Sequence, residues 1–171
     1  MARSRLLIAL AFFSFAAAAG CGTGGAGSPV DAIEYDACAA LPLVLDPGVT
    51  DAQSAGIAAA IALWNERAGT RLMLAGAPGS AGLPIHFQAA AAPFHGLYEP
   101  SGQVFINNDL SGPALAVVIA HEIGHAFGLV HIPAGQRTSV MNPNNLVVEP
   151  TPEDIDTLAL RWGVCLASAA P

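Results

Sequence analysis

The stretch that decides the fold runs from His121 to His131 and reads H-E-I-G-H-A-F-G-L-V-H. On a helix, residues four apart lie one above the other, so His121 and His125 face the same way. Two imidazoles on one helix face can bind one zinc ion. Gly128 can end the helix in a left-handed turn, which lets His131 return as a third ligand. Glu122 is placed to act on water without binding the metal. The sequence therefore predicts a zinc site with an open fourth position.

Chance is a poor explanation of this pattern. A bare H-E-x-x-H is expected in roughly one chain of this length in a few hundred, and the added glycine and third histidine reduce that to about one in a hundred thousand. The helix that carries the motif is expected to be capped at Ser111, with Pro113 in its first turn. The apolar run at 114–120 then leads into the motif, which predicts that the ligands lie on a buried, rigid helix.

The segment resembles the metzincin metalloproteases, whose signature is this extended motif followed by a turn that contains methionine. Residues 138–143 (T-S-V-M-N-P) fit that turn, with Met141 ten residues past His131. The resemblance implies that Met141 lies beneath the ligands as an apolar floor, and that Glu122 is the catalytic proton carrier. It also implies an α+β zincin fold: a twisted, mixed five-stranded sheet, three main helices, and an active-site cleft between upper and lower parts.

Within that clan the chain looks most like a matrixin catalytic domain, over roughly residues 40–165. Pro143 stands two residues after the methionine, as in matrixins, and the resemblance implies that it lines the wall of the S1′ pocket. Residues 153–163 are similar to the matrixin final helix, with Trp162 in place of the usual tyrosine. Asn145 replaces a tyrosine that helps to form the same pocket, so the pocket specificity of matrixins cannot be transferred to this chain.

Further ions beyond one catalytic zinc are left open. Matrixins usually hold a second, structural zinc with histidines and an aspartate before the edge strand. His86 and His95 lie in that region, but Gln88 stands where the pattern needs the aspartate, so a hydrogen-bonded structural role is expected for His86. Residues 107–109 (N-N-D) could offer oxygens to calcium, although so short a cluster is ordinary loop chemistry.

Hydrophobic patterns and turn residues predict the other elements. Strands are expected at residues 41–45, 71–75, 83–88, 94–98 and 103–107. Thr50 and Gln53 form a capping-box pattern that opens a helix, which Gly69 closes. A last helix is expected between Thr151 and Trp162.

The N-terminal region has the pattern of an export signal. A short basic segment precedes an apolar run of 14 residues, which is too short to cross a membrane but typical of a secretory signal. The run ends in A-A-A-G-C at Cys21, which resembles the cleavage box of a bacterial lipoprotein, where the cysteine carries lipid. Ordinary signal cleavage among the alanines, giving a secreted protein, is the alternative. The expected layout is a signal peptide at 1–20, a lipid-anchored flexible segment at 21–39 and the catalytic domain at 40–171.

The chain has three cysteines, an odd number for an exported protein. If Cys21 carries lipid, Cys38 and Cys165 remain as a pair, which an oxidising compartment would join in a disulfide. The alternative is that Cys38 blocks the zinc, as a propeptide cysteine does in matrixins. The matrixin switch sequence is absent around Cys38, so the disulfide is preferred.

The charge of the chain excludes one class of partner. Removal of residues 1–20 takes away Arg3 and Arg5 and leaves four arginines against 13 acidic residues, a net charge of −9, with no lysine. Such a chain lacks the basic surface that nucleic acids demand. The expected partners are a protein or peptide substrate and a membrane reached through the lipid, and the chain itself is expected to be a monomer.

The expected function is that of a zinc-dependent endopeptidase, which hydrolyses extracytoplasmic proteins at the bacterial cell envelope with water that the metal activates. Two other functions stay open. One is a surface binding module that keeps a zinc-stabilised fold without turnover, and the other is a zinc hydrolase that acts on a non-peptide bond.

Overall fold

The computed structural model of the chain describes residues 32–75 and 81–165. The strands within those ranges are β1 (Ala40–Leu45), β2 (Arg71–Leu74), β3 (Leu83–Gln88), β4 (Gly96–Glu99) and β5 (Gln103–Asn107). The helices within them are α1 (Asp51–Ala68), α2 (Gly112–Ala126) and α3 (Pro152–Trp162). The predicted signal peptide and Cys21 lie outside the described residues. None of the helices in the described part is long and apolar enough to cross a membrane.

The strands form one mixed sheet in the order β2-β1-β3-β5-β4. Neighbouring pairs are parallel except for β4, which runs antiparallel to β5 and lies at the edge of the sheet. The five strands and three helices of the described part confirm the α+β architecture expected from the sequence. β4 starts at Gly96 rather than at residue 94, because a turn in which the Phe94 N–H donates to the Ala91 carbonyl precedes it.

Helix α1 packs against α2 and fixes it in the core. Thr50 and Gln53 form the expected capping box, and Gly69 ends the helix with a φ of 68°. Trp64 is fully buried, and its indole N–H donates to the Ala120 carbonyl at 2.9 Å. A Cβ on Gly56 would lie 2.6 Å from Leu115 Cδ2, so this close approach requires glycine. The position of α2, which carries His121 and His125, is therefore fixed by its packing against α1.

The start of α2 differs in one respect from the sequence expectation. Ser111 occupies the N-cap position, but its side chain makes no capping hydrogen bond. Because Pro113 in the first turn has no N–H, the helix has one fewer unpaired donor at this end for a cap to satisfy.

Residues before the boundary predicted at residue 40 are hydrogen-bonded to the rest of the described chain. The Ile33 N–H donates to the Pro100 carbonyl at 3.0 Å, and the Tyr35 N–H donates to the Ala126 carbonyl at 2.8 Å. Cys38 forms a disulfide with Cys165, as expected, with the two Cα atoms 4.9 Å apart. Residues 33–38 are therefore docked against the domain, and Cys38 is not a free thiol that could block a metal.

Candidate metal centre

The end of α2 determines where the chain places its third histidine. Gly128 has a φ of 82°, and its N–H donates to the His125 carbonyl at 2.9 Å. The Leu129 N–H donates to the Gly124 carbonyl at 2.9 Å. These two bonds form a Schellman motif, which satisfies the last carbonyls of the helix and reverses the chain. Gly128 thus adopts the left-handed turn that the sequence predicted for it.

The three predicted ligands converge on one point. The Nε2 atom of His131 lies 3.1 Å from Nε2 of His121 and 3.1 Å from Nε2 of His125. Ligands of a tetrahedral zinc with Zn–N bonds of about 2.0 Å stand roughly 3.3 Å apart, so the spacing fits this ion. Within the described residues this is the one group of three His, Cys, Asp or Glu side chains close enough to share a metal.

Backbone carbonyls orient two of these rings. His121 Nδ1 lies 2.7 Å from the Val140 carbonyl oxygen, and His125 Nδ1 lies 2.8 Å from that of Leu129. Because a carbonyl oxygen only accepts, each Nδ1 carries the proton and each Nε2 presents its lone pair to the common point. This is the tautomer that a zinc ligand needs.

Burial keeps the three imidazoles neutral. It lowers the pKa of His121 to about 4, with the hydrogen bond to Val140 opposing the shift and repulsion from His131 adding to it. Burial, together with repulsion from His121 and His131, lowers the pKa of His125 to about 3. Burial also lowers the pKa of His131. All three rings are therefore neutral at pH 7, and no proton has to leave before a metal binds.

Glu122 is enclosed between α2 and the edge strand β4. It is 5% exposed, and burial raises its pKa to about 8 against the opposing effect of a hydrogen bond from the Tyr98 N–H. A Cβ on Gly96 would lie 2.7 Å from Glu122 Oε1 and 2.9 Å from Val118 Cγ1. Gly96 therefore makes room for the carboxylate. This role was not predicted from the sequence, although a glycine inside a short strand is a signal of close approach.

Met141 packs beneath the first turn of the motif. It is 1% exposed, and a Cβ on Gly124 would lie 2.5 Å from its sulfur atom. Gly124 stands between His121 and His125 in the sequence, so the thioether lies under the part of α2 that carries both ligands. Its role as the floor beneath a bound metal ion stays a prediction.

The residues after Met141 are placed differently from one another. Pro143, the expected wall of the S1′ pocket, is exposed. Asn145 is buried, and its amide nitrogen donates to the carbonyls of Val140 and Val148. Asn145 therefore faces the turn that carries Met141.

At the other candidate ion sites, the side chains of His86 and Asn107 are hydrogen-bonded to other groups of the protein. His86 Nδ1 lies 2.7 Å from Asp46 Oδ2, and Nε2 lies 3.2 Å from Gln103 Oε1. The Asn107 amide donates to the carbonyls at positions 90 and 94, and its oxygen accepts from the Asp109 N–H. Neither His86 nor His95 belongs to a group of three candidate ligands within the ranges that the structure covers.

The fold of the chain is similar to that of a known zinc protease, although its sequence matches no family model. No family model matches the chain, and no curated protein matches its sequence. Among solved structures, it is similar to high choriolytic enzyme 1 (HCE-1), a hatching enzyme zinc-protease from Oryzias latipes (Medaka fish). The match has a TM-score of 0.51 and 15% identity and covers 82% of this chain and 98% of the other. The chain has the fold of a zincin metalloprotease. Within this zincin fold, the histidine cluster lies at the end of α2.

A buried carboxylate on α3, that of Asp154, is hydrogen-bonded to the segment that precedes Met141. Asp154 is 1% exposed and accepts from the Ser139 hydroxyl at 2.5 Å, the Val140 N–H at 2.8 Å and Arg137 Nη1 at 2.7 Å. It also accepts from the Thr151 N–H at 3.0 Å. Burial by itself would raise the pKa of Asp154, but these donors together hold it below its usual range.

Replacing Asp154 with asparagine is expected to lower the free energy of unfolding by about 3 kcal/mol at pH 7, because Arg137 loses its buried partner. A depressed pKa stabilises the fold fully above the unfolded-state pKa, and the effect is lost as pH falls through the folded-state pKa. The difference between wild type and Asp154→Asn should therefore shrink below about pH 4. Urea denaturation at several pH values measures it. The exposed Asp156→Asn on the same helix is the control, and equal losses in both variants would contradict the assignment.

Proposed function

We propose that the chain is a zinc-dependent endopeptidase. The observation that carries the proposal is the convergence of three imidazoles, with the buried carboxyl group of Glu122 next in sequence to the first of them and outside the converging group. Three nitrogen ligands with an open fourth position are typical of catalytic zinc, whereas structural zinc sites are closed by four protein ligands. A binding module would have no need for the buried carboxylate of Glu122 beside an open metal position.

The residues of the chain divide the chemistry between them. Bound zinc would act as a Lewis acid that acidifies water and polarises the carbonyl of the scissile peptide. His121, His125 and His131 hold the ion through Nε2. The positive charge of the ion would favour the ionised form of Glu122, which could then accept a proton from the attacking water and deliver it to the leaving amine. Its enclosure under β4 keeps the carboxyl group out of bulk solvent, one residue along α2 from the first ligand.

The edge strand β4 is the proposed docking site of the substrate backbone. Directly before β4, the His95 carbonyl accepts from the Asn107 N–H at 2.9 Å, and these two residues continue the β4–β5 register as a hydrogen-bonded pair. Because such pairs alternate along an antiparallel ladder, the backbone groups of Gly96 and Tyr98 face away from β5. Because the Tyr98 N–H already donates to Glu122, a peptide in extended conformation would add as a further strand through the Gly96 backbone and the Tyr98 carbonyl. Its scissile bond would then lie beside Glu122.

We propose a matrixin-like subtype for this zincin fold. The proposal is supported by Pro143 after the methionine turn and by the short final helix with its capping box at Thr151. Pro143 would form part of the S1′ wall. The buried Asn145 cannot supply the aromatic surface that matrixins place there, so the specificity of the pocket is expected to differ.

The proposed location is outside the cytoplasm. The Cys38–Cys165 disulfide supports it, since such bonds persist in oxidising compartments. We propose that lipid on Cys21 anchors a monomeric enzyme to the bacterial cell envelope, where it meets protein substrates.

The function is tested by metal analysis together with cleavage of a diverse peptide library. Wild type should bind one zinc per chain and cleave peptides, whereas His125→Ala should lose both properties, because two imidazoles hold the ion too weakly. His86→Ala is the matched control, since this half-buried histidine lies outside the cluster. Full zinc occupancy in His125→Ala would contradict the ligand assignment. Zinc-loaded wild type that cleaves no peptide would favour the binding module or a non-peptide substrate.

A further inference from the structure

One peptide group in the methionine turn is held from both sides. The carbonyl between Val140 and Met141 accepts from His121 Nδ1, and the N–H of the same peptide donates to Ser139 Oγ at 2.9 Å. The Ser139 hydroxyl donates in turn to the buried Asp154. The N–H side is therefore fixed by a chain of hydrogen bonds that ends on a carboxylate.

Asn145 fixes the carbonyl side of this peptide. Its Nδ2 donates to the Val140 oxygen at 3.0 Å, so that oxygen accepts from both His121 and Asn145. The same nitrogen donates to the Val148 carbonyl at 2.6 Å, and Oδ1 accepts from the N–H groups of Val147 and Val148. The amide is 9% exposed and uses both donors and both acceptor sites. A flipped amide would place its oxygen against two carbonyls, so the orientation is determined.

The two carbonyls that orient metal ligands differ in their support. The Leu129 carbonyl, which orients His125, follows directly from the Schellman turn at the end of α2. The Val140 carbonyl, which orients His121, lies in a stretch without helix or strand. Backbone hydrogen bonds hold the neighbouring residues Ser139 and Met141 but do not reach this oxygen, and Asn145 is the side chain other than His121 that binds it.

We propose that Asn145 is a positioning residue of the metal centre, acting on His121 through the Val140 carbonyl. The inference rests on the zinc-binding part of the proposed function. Partners that orient a ligating imidazole commonly change metal affinity by 10- to 100-fold when they are removed. Matrixins have a pocket-forming tyrosine at this position, whereas in this chain Asn145 would help to orient the zinc ligand His121.

The competing explanation is that Asn145 only closes the loop at 145–148. Asn145→Asp separates the two roles, because a carboxylate still accepts from the N–H groups of Val147 and Val148. The substitution removes both donors and sets an oxygen against the Val140 carbonyl. Asn145→Ala removes the same donors without adding a charge, and it decides the question if the aspartate variant does not fold.

The matched control is Asn107→Asp. Asn107 is 5% exposed, its amide also donates to two backbone carbonyls, and its oxygen also accepts from a backbone N–H. It contacts neither the methionine turn nor a histidine of the cluster through these side-chain bonds. Its substitution should lower stability in a similar way without changing how the metal is held.

The experiment measures zinc affinity of the full, oxidised chain by chelator competition, together with the visible absorption spectrum of the Co²⁺-substituted protein. Circular dichroism first establishes that each variant is folded. Asn145→Asp and Asn145→Ala should weaken zinc binding about 10- to 100-fold and alter the cobalt spectrum. Asn107→Asp should match wild type in both.

Zinc affinity within twofold of wild type and an unchanged cobalt spectrum in the Asn145 variants would overturn the inference and leave Asn145 as a loop residue. In that outcome the zinc site itself stands, because wild type still binds. If wild type bound no zinc, the proposed function would fail, and the positioning role with it.

Discussion

Glu122→Gln is expected to lower kcat for peptide cleavage by about 10²- to 10⁴-fold while the chain keeps its zinc. Glutamine has nearly the shape of glutamate, so it fits beneath Gly96 and can still accept from the Tyr98 N–H. It cannot take a proton from water. Because Glu122 is not one of the converging ligands, the three histidines and their orienting carbonyls are unchanged.

The measurement is kcat on a fluorogenic peptide, with zinc content determined on the same samples. Glu153→Gln is the control, since this exposed carboxylate on α3 lies away from the histidine cluster and should leave kcat unchanged. KM should change little, because the substrate backbone binds to β4 rather than to the carboxylate. A Glu122→Gln variant within tenfold of wild type would show that another group is the base. Loss of zinc in that variant would show that Glu122 is a ligand.

Much of the fold and of the ligand set could be predicted because it depends on local spacing. Four-residue spacing on a helix brings His121 and His125 together, and Gly128 ends that helix through its own backbone. Caps such as Thr50 with Gln53 are also local signals, and the structure contains them. These interactions join residues that are close in sequence, so they can be predicted without knowing the tertiary fold.

The missed features depend on contacts between segments that are distant in sequence. Gly96 leaves room for the side chain of Glu122, which lies on another element, and the hydrophobic periodicity of neither segment predicts this contact. Asn145 appeared only as a departure from a family pattern, because its partners are backbone groups brought together by an irregular turn. The hydrogen bond from the Tyr35 N–H to the Ala126 carbonyl likewise joins two segments that are far apart in sequence.

Breaking the Cys38–Cys165 disulfide is expected to lower the free energy of unfolding by 2 to about 5 kcal/mol. The bridge joins residues 127 positions apart, so it restricts nearly the whole unfolded chain. It also holds two segments that satisfy the end of α2. Tyr35, close before Cys38, donates to the Ala126 carbonyl, and Trp162, close before Cys165, donates to the Phe127 carbonyl at 2.8 Å.

These contacts stabilise the end of α2, and the turn that follows Phe127 positions His131. Cys38→Ser should therefore give a less stable enzyme with no gain in activity. Denaturation of the variant and of wild type, each with and without reductant, measures the effect. Reductant should destabilise wild type to the level of the variant and leave the variant unchanged. If Cys38 instead restrained the enzyme by reaching the metal, Cys38→Ser would be sharply more active than wild type, and that result would overturn the structural role of the bridge.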